Sequence, residues 1–306
     1  MRVIVAGATG FIGSGLCKEL AFQGHSVTAL TRNPGTARLK LGNNIKVVRW
    51  DAKSVEQIVP LLENSDAVVN LVGENISSRR WTKEQKDLIL YSRVESGKAI
   101  ANAFKKLSRK PEVLIQASAV GFYGDRGNDV IDETSSAGEG FLPLVSRQWE
   151  DSTLEVERLG IRRVVIRTGV VLNKDGGALP KILLPFKFYF GGTLGSGNQW
   201  LPWIHYNDEI ASIMFLLEHQ NLSGVFNLSS PEPATFERLS ILVGTLLRSP
   251  SWFPVPSFAL RLALGKMADE LLLTSQRVFP KRLEESEFKF QFTNLLDALR
   301  DILQSS

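Results

Sequence analysis

Residues 1–14, MRVIVAGATGFIGS, decide the fold. Arg2 to Ala6 form a largely β-branched run, the pattern of a parallel strand buried on both faces. Gly7, Gly10 and Gly13 follow at once, and an apolar-periodic helix begins at Phe11. A strand, a glycine turn and a helix start together make a phosphate site. Glycine lets the turn form and lets an anion approach bare backbone. The helix N-terminus then offers unpaired N–H groups and a partial positive charge. A glycine triplet can also close a turn that binds nothing; its place between strand and helix favours the ligand reading.

The spacing is Gly-x-x-Gly-x-x-Gly, with Ala8 and Thr9 inside it. GATGFIG resembles the extended short-chain dehydrogenase/reductase family. The resemblance implies an α/β fold: a doubly wound parallel sheet of the Rossmann type with a smaller C-terminal substrate-binding lobe. It also implies a nicotinamide cofactor held by Gly7, Thr9, Gly10, Phe11, Ile12 and Gly13.

A chain of 306 residues with 43% hydrophobic and 22% charged residues has ample material for a buried core. The net charge of +4 comes from interleaved basic and acidic residues, which argues against a nucleic-acid partner. Cys17 has no second cysteine to pair with and reads as a small core residue. Three scattered histidines and one cysteine make no metal site. No stretch approaches a membrane span, so no membrane insertion is expected. A strand beginning at residue 2 predicts no signal or transit peptide within the chain. The expected location is the cytoplasm, or an organelle interior such as the plastid stroma if a leader has been removed.

Next in order, the first helix runs to about Gly24 and the second strand covers Ser26 to Thr31. Thr31 and Arg32 stand at its tip, where dinucleotide folds meet the adenosine ribose. NAD-binding members carry an acidic residue there. A guanidinium would instead pair with a 2′-phosphate, which a carboxylate would repel, so NADP(H) is the expected cofactor; the alternative is an arginine solvated in a turn. The third strand, Ile45 to Trp50, leads to Asp51, which resembles the family's acidic residue near the adenine amino group. A helix near Ser54 to Asn64 follows. In DAVVNLVGEN (residues 66–75), Leu71, Val72 and Gly73 resemble the stretch that lies against the adenine ribose, and Asn70 either joins them or supports the sheet. A long helix then runs to about Leu107, with Arg93 and Ser96 as weak candidates on it.

The fifth strand, Glu112 to Ser118, enters IQASAVGFYGDRG (residues 115–127). In the family a serine at this strand end bonds the substrate carbonyl and a Tyr-Gly pair follows; Ser118, Tyr123 and Gly124 match. Residues 124–140 are rich in glycine and acidic side chains and read as a mobile loop over the mouth. The family then requires a Tyr-x-x-x-Lys helix. Here the segment is GFLPLVSRQWEDSTLEVERLG, and with Glu150 as the register the two positions are Leu142 and Ser146. General acid–base catalysis contributes about 10²- to 10⁴-fold. Tyr123 is the substitute nearest in sequence, so the expected catalytic pair is Ser118 and Tyr123; Arg147 is a poor proton donor.

Ile161 to Leu172 reads as a sixth strand whose end resembles the segment over the nicotinamide, with Arg167, Thr168, Gly169 and Val170 as candidates. On this reading residues 1–172 form the nucleotide-binding domain, with a returning strand near 224–229, and residues 173–306 form the substrate lobe. In that lobe Trp200, Trp203 and Phe188 either line an apolar pocket or fill a small core; the reading is core for Trp203 and pocket for Trp200. Asp208 is the expected N-cap of the following helix. His205 is a proton donor or, more in keeping with its setting, a buried structural histidine.

GSGNQWLPWIH (195–205) and PVPSFALRLALGKMADELLLTSQRVFPKRLEESEFKF (254–290) narrow the resemblance further. They are similar to the epimerase-family, cell-division-inhibitor-like subgroup with a C-terminal domain of unknown function, in which the Tyr and Lys are also missing. Glu287 stands where that subgroup commonly has glycine. The resemblance implies an NADP(H)-dependent oxidoreductase or epimerase-like protein acting on an unknown small molecule. The alternative is a low-turnover NADP(H)-binding regulator with a protein partner in cell or plastid division. A homo-oligomer is compatible with either.

Overall fold

The computed structural model describes residues 1–304. Strands β1 (Arg2–Ala6), β2 (Ser26–Thr31), β3 (Lys46–Arg49), β4 (Ala67–Asn70) and β5 (Val113–Ala119) are joined in the main sheet by Arg162–Thr168 and Gly224–Leu228. In space the order is Gly224–Leu228, Arg162–Thr168, β5, β4, β1, β2, β3, and every pairing is parallel. Successive side chains of β1 point to opposite faces. Val3 and Val5 pack under helix α1 (Phe11–Phe22) and the helix Tyr206–Glu218. Ile4 and Ala6 pack under α3 (Val55–Leu62) and α4 (Lys83–Lys106), with α2 (Pro34–Leu41) between β2 and β3 in the chain. The order reverses between β1 and β4, so a crevice opens beyond their carboxyl ends. Helix α5 (Phe141–Asp151) lies along β5 at the far side of that crevice.

A second core gathers Leu179–Lys187, Phe236–Leu247 and Leu295–Gln304 around Leu172, Trp203 and Leu239. The two bodies interleave in sequence: Ile204, Ile210, Phe226, Leu283 and Phe288 all pack into the first core. The sheet domain therefore takes more from beyond residue 172 than one returning strand. Among the described residues no helix is long and apolar enough to cross a membrane, and no cluster of metal-ligating side chains forms.

Four local expectations change. The sixth strand is broken at Gly169: Arg162–Thr168 stays in the main sheet, while Val170–Asn173 pairs with Trp203–His205. A Cβ at Gly169 would stand 2.2 Å from the Pro202 carbonyl oxygen, so only glycine fits the crossing. Helix α2 has no counterpart in the sequence reading; Asn33 precedes it and Pro34 occupies its first turn. The helix expected to begin at Asp208 begins at Tyr206, capped by His205, whose Nδ1 accepts from the Asn207 N–H at 3.1 Å. Asp208 instead accepts from the Gln291 and Phe292 N–H groups and anchors the C-terminal segment. Finally, residues 124–140 are pinned rather than free. Val130–Ile131 pairs with Arg277–Val278, Asp125 accepts from the Ser275 N–H, and Glu133 accepts from the Asn227 N–H. Glu287 has φ 61°, the left-handed region that favours glycine.

Candidate functional site

The crevice has two compartments. The first is a groove that crosses the carboxyl ends of β1, β2 and β4. Gly7, Thr9, Gly10, Thr31, Arg32, Asp51, Leu71, Val72 and Gly73 all line it. The turn is built by close approach. Gly7 has φ 78°, and a Cβ on Gly13 would stand 2.3 Å from the Gly7 carbonyl oxygen, so the first and third glycines hold strand and helix together. Gly10 differs. It caps α1 with φ −66° and ψ 176°, which any residue adopts, and a Cβ there would touch only the Gly7 oxygen at 3.1 Å. Its bareness leaves room in the groove rather than relieving the backbone. The first-turn N–H groups of Phe11, Ile12 and Gly13 have no acceptor within an α-helix and remain for an anion. The Phe11 ring packs on Tyr206, 4.9 Å between centroids. Lys40 Nζ donates to the Thr9 carbonyl at 2.8 Å and brings a positive charge to the turn.

At the ribose end Arg32 is exposed, with Asn33 and Thr36 beside it at the N-terminus of α2. The nearest lining carboxylate in sequence, Asp51, accepts from the Ser54 hydroxyl at 2.6 Å and from the Ser54 and Lys53 N–H groups. Those bonds, the Ser54 hydroxyl foremost, hold its pKa down. Asn70 is fully buried: its amide donates to Gln116 Oε1 at 2.9 Å and its Oδ1 accepts from the Val72 N–H at 3.3 Å, so it braces the sheet and the groove wall from behind. Sequence reasoning missed Asn33 and Thr36 because it missed α2; the Asn33–Pro34 pair was the available signal.

The second compartment is an apolar chamber between α5, the end of β5 and the second lobe. Leu142, Val145, Ser146, Trp149, Thr168, Gly169, Val170, Ile182, Trp200 and Leu271 are among its walls. Trp203 is fully buried and Phe188 is exposed on the surface, away from both compartments. Helix α5, FLPLVSRQWED, contains neither tyrosine nor lysine. Glu270 Oε2 and Oε1 accept from the Leu142 and Phe141 N–H groups at 2.7 and 3.1 Å and cap that helix.

Beneath the chamber lies a closed polar network. Arg167 makes a two-pronged ion pair with Glu150, Nε–Oε1 at 2.8 Å and Nη2–Oε2 at 2.9 Å. Ser118 Oγ donates to the same Oε1 at 2.6 Å. Tyr123 Oη donates to Asn227 Oδ1 at 2.6 Å and accepts from Arg167 Nη1 at 3.0 Å. Burial pushes the Tyr123 phenol up to about 12. This arrangement changes three expectations. Ser118, Tyr123 and Arg167 are all buried, their polar atoms are bonded to one another and to Glu150 and Asn227, and none lines the chamber. The phenol hydroxyl is directed at Asn227 and Arg167 rather than at the chamber.

Another carboxyl takes the prominent position. Glu209 is fully buried, and its Oε1 accepts from Thr168 Oγ1 at 2.9 Å while Oε2 has no partner. Burial raises its pKa to about 8. Thr168 lines the chamber, so a protonated carboxyl stands one hydroxyl behind the wall. Nothing in the sequence marked it, since an acidic residue in the first turn of a helix is ordinary. His205 is 2% exposed, with Nε2 3.3 Å from Asp301, and burial lowers its pKa despite that carboxylate. It is a structural cap.

Comparison with known proteins gives a consistent result. Residues 3–143 match the NAD dependent epimerase/dehydratase family, and residues 255–302 match a domain of unknown function, DUF1731. The chain is similar to the epimerase family protein YfhF of Bacillus subtilis, 37% identical over 306 residues, covering 99% of this chain and 98% of that protein. It is similar to the epimerase family protein SAR0825 of Staphylococcus aureus, 36% identical over 305 residues and 99% of each chain. Among solved structures, the human epimerase family protein SDR39U1 (isoform 2) with NADPH superposes with a TM-score of 0.88 at 32% identity, covering 100% of both chains.

Proposed function

The chain belongs to the NAD-dependent epimerase/dehydratase family, and from that premise we propose that it binds NADP(H) in the groove and acts on a small apolar molecule in the chamber. The reaction class is oxidoreduction or epimerisation. One observation carries the cofactor reading: Arg32, Asn33 and Thr36 stand together where NAD-binding members place a carboxylate. A guanidinium pairs bidentately with a 2′-phosphate, and the N-terminus of α2 offers it N–H groups. The NADPH held by the human relative supports the same reading. The groove fits the rest of such a ligand, with Gly10 bare and the first turn of α1 unpaired beside it.

Bound NADP(H) supplies or accepts a hydride. The chain itself has the proton to manage, and α5 offers neither a phenol nor an ammonium for that purpose. We assign the proton to Thr168 Oγ1, which borders the chamber and at rest donates to Glu209 Oε1. In turnover the Thr168 hydroxyl gives its proton to the substrate oxygen and takes the Glu209 carboxyl proton in its place, leaving Glu209 as the carboxylate. Glu209 stays protonated at neutral pH because burial disfavours its charge. A specific observation also favours a second reading: without Tyr and Lys on α5, the protein is a holder of NADP(H) that turns over slowly and presents its state to a protein partner. NADPH consumption screened against apolar aldehydes, ketones and quinones separates the two. With the best substrate, Thr168→Val slows turnover at least tenfold and Tyr123→Phe does not. An unchanged rate in Thr168→Val refutes the relay, and tight NADPH binding without any turnover favours the second reading.

A further inference from the structure

The mechanism leaves one charged group of the chamber unused. Arg93 projects from α4 between Gly73 and Trp149. A Cβ on Gly73 would stand 2.9 Å from the guanidinium carbon, so the bare glycine is what admits the side chain. The guanidinium lies over the Trp149 ring, 4.9 Å from its centroid. Nη1 donates to the Glu74 and Ile89 carbonyls at 3.0 and 2.9 Å, both neutral acceptors. The two arginines that are buried are neutralised: Arg167 pairs with Glu150 and Arg163 with Glu157. Arg93 forms no such ion pair among the described residues. Glu74 acts on it from beyond ion-pair distance, and burial still holds its pKa down at about 10.

A half-buried cation whose direct hydrogen bonds all go to neutral carbonyls has room for an anionic partner, and its position says where that partner would sit. Arg93 lines the apolar chamber and is absent from the walls of the nucleotide groove. The chamber's own carboxylate, Glu270, is engaged by the first turn of α5. The chamber walls include the apolar side chains of Ile76, Val145, Trp149 and Ile182, and Arg93 is the cation among its lining residues. We propose that Arg93 anchors a carboxylate, or an oxygen of equal charge, on an otherwise apolar ligand of this chamber. The inference rests on reading the chamber as the substrate site, and it names the substrate class: an amphipathic molecule with one anionic oxygen and an apolar body. The Trp149 ring supports the guanidinium and the two carbonyls occupy Nη1, which leaves Nε and Nη2 for the anion.

The test uses the full chain, with octanoate and 1-octanol as probes of equal length. Binding is followed by calorimetry and by tryptophan fluorescence, with Trp149→Phe identifying the local signal. Wild type binds octanoate at least tenfold more tightly than octanol. Arg93→Lys keeps a preference for octanoate, Arg93→Met binds the two probes equally, and NADPH affinity in Arg93→Met stays within threefold of wild type. Equal binding of the two probes by wild type overturns the role of Arg93 and leaves the substrate-site reading standing. Binding of neither overturns both. Loss of NADPH affinity in Arg93→Met, with the octanoate preference intact, shows that the guanidinium serves the cofactor phosphates instead and overturns the proposal. The wild-type comparison decides the matter even if Arg93→Met does not fold.

Discussion

Replacing Glu209 by glutamine removes one ionisable proton and nearly nothing else. The carboxyl is fully buried, receives one hydrogen bond from Thr168 and leaves Oε2 without a partner. Its pKa in the folded protein is about 8, against about 4.3 for an exposed glutamate. Between those values the native state holds a proton that the unfolded chain has released. The contribution of this group to stability is therefore complete below the unfolded value and is lost as pH rises toward 8. Each pH unit in that window costs about 1.4 kcal/mol, so from pH 5 to pH 8 the wild type loses about 4 kcal/mol through this group. The side chain of Glu209→Gln keeps the acceptor for Thr168 and cannot ionise. Urea denaturation followed by circular dichroism at pH 5, 6.5 and 8 reads the difference between the two proteins, and every other titrating group cancels. At pH 5 the variant matches wild type or falls slightly below it; at pH 8 it is more stable by about 3–4 kcal/mol. A difference that does not change with pH would show that Glu209 ionises normally, and the proton assigned to Thr168 would lose its source.

The glycine turn and the buried network give three further outcomes. Gly10→Val keeps the fold, since its backbone angles suit any residue, but abolishes NADPH binding by calorimetry; Gly13→Val lowers the melting temperature sharply, because its side chain would meet the Gly7 backbone. Glu150→Gln leaves the Arg167 guanidinium buried without its counter-ion and destabilises the protein by about 3–5 kcal/mol in denaturant titration; a loss under about 1 kcal/mol would contradict the placement of that pair.

What the sequence disclosed depended on how local the signal was. The β1–turn–α1 unit was legible because strand, glycine spacing and helix periodicity adjoin within fourteen residues. Helix α2 was not, because PGTARLKL buries only Ala37 and Leu41 and shows no clear apolar stripe. The break at Gly169 hides inside a β-branched run and is imposed by Pro202, far along the chain. The buried setting of Ser118 and Tyr123 was not legible for a related reason. Position at a strand end can be read from sequence, but the direction of a hydroxyl is set by partners such as Glu150 and Asn227, distant in the chain. Glu209 is an ordinary helix residue by sequence, and only tertiary burial makes its charge costly; Arg93 could be named as a candidate on its helix, but its place in the chamber wall is set by the fold.

The central claim, a groove built for NADP(H), is tested most directly by titrating the wild-type protein with NADPH and NADH by calorimetry at low ionic strength, beside Arg32→Ala. One charge-assisted bidentate contact contributes about 1.5–3 kcal/mol, which predicts tighter binding of NADPH by roughly ten- to over a hundredfold, falling to within about threefold once Arg32 is removed. Equal affinity of the wild type for the two nucleotides, or an NADPH affinity unchanged in Arg32→Ala, would contradict it.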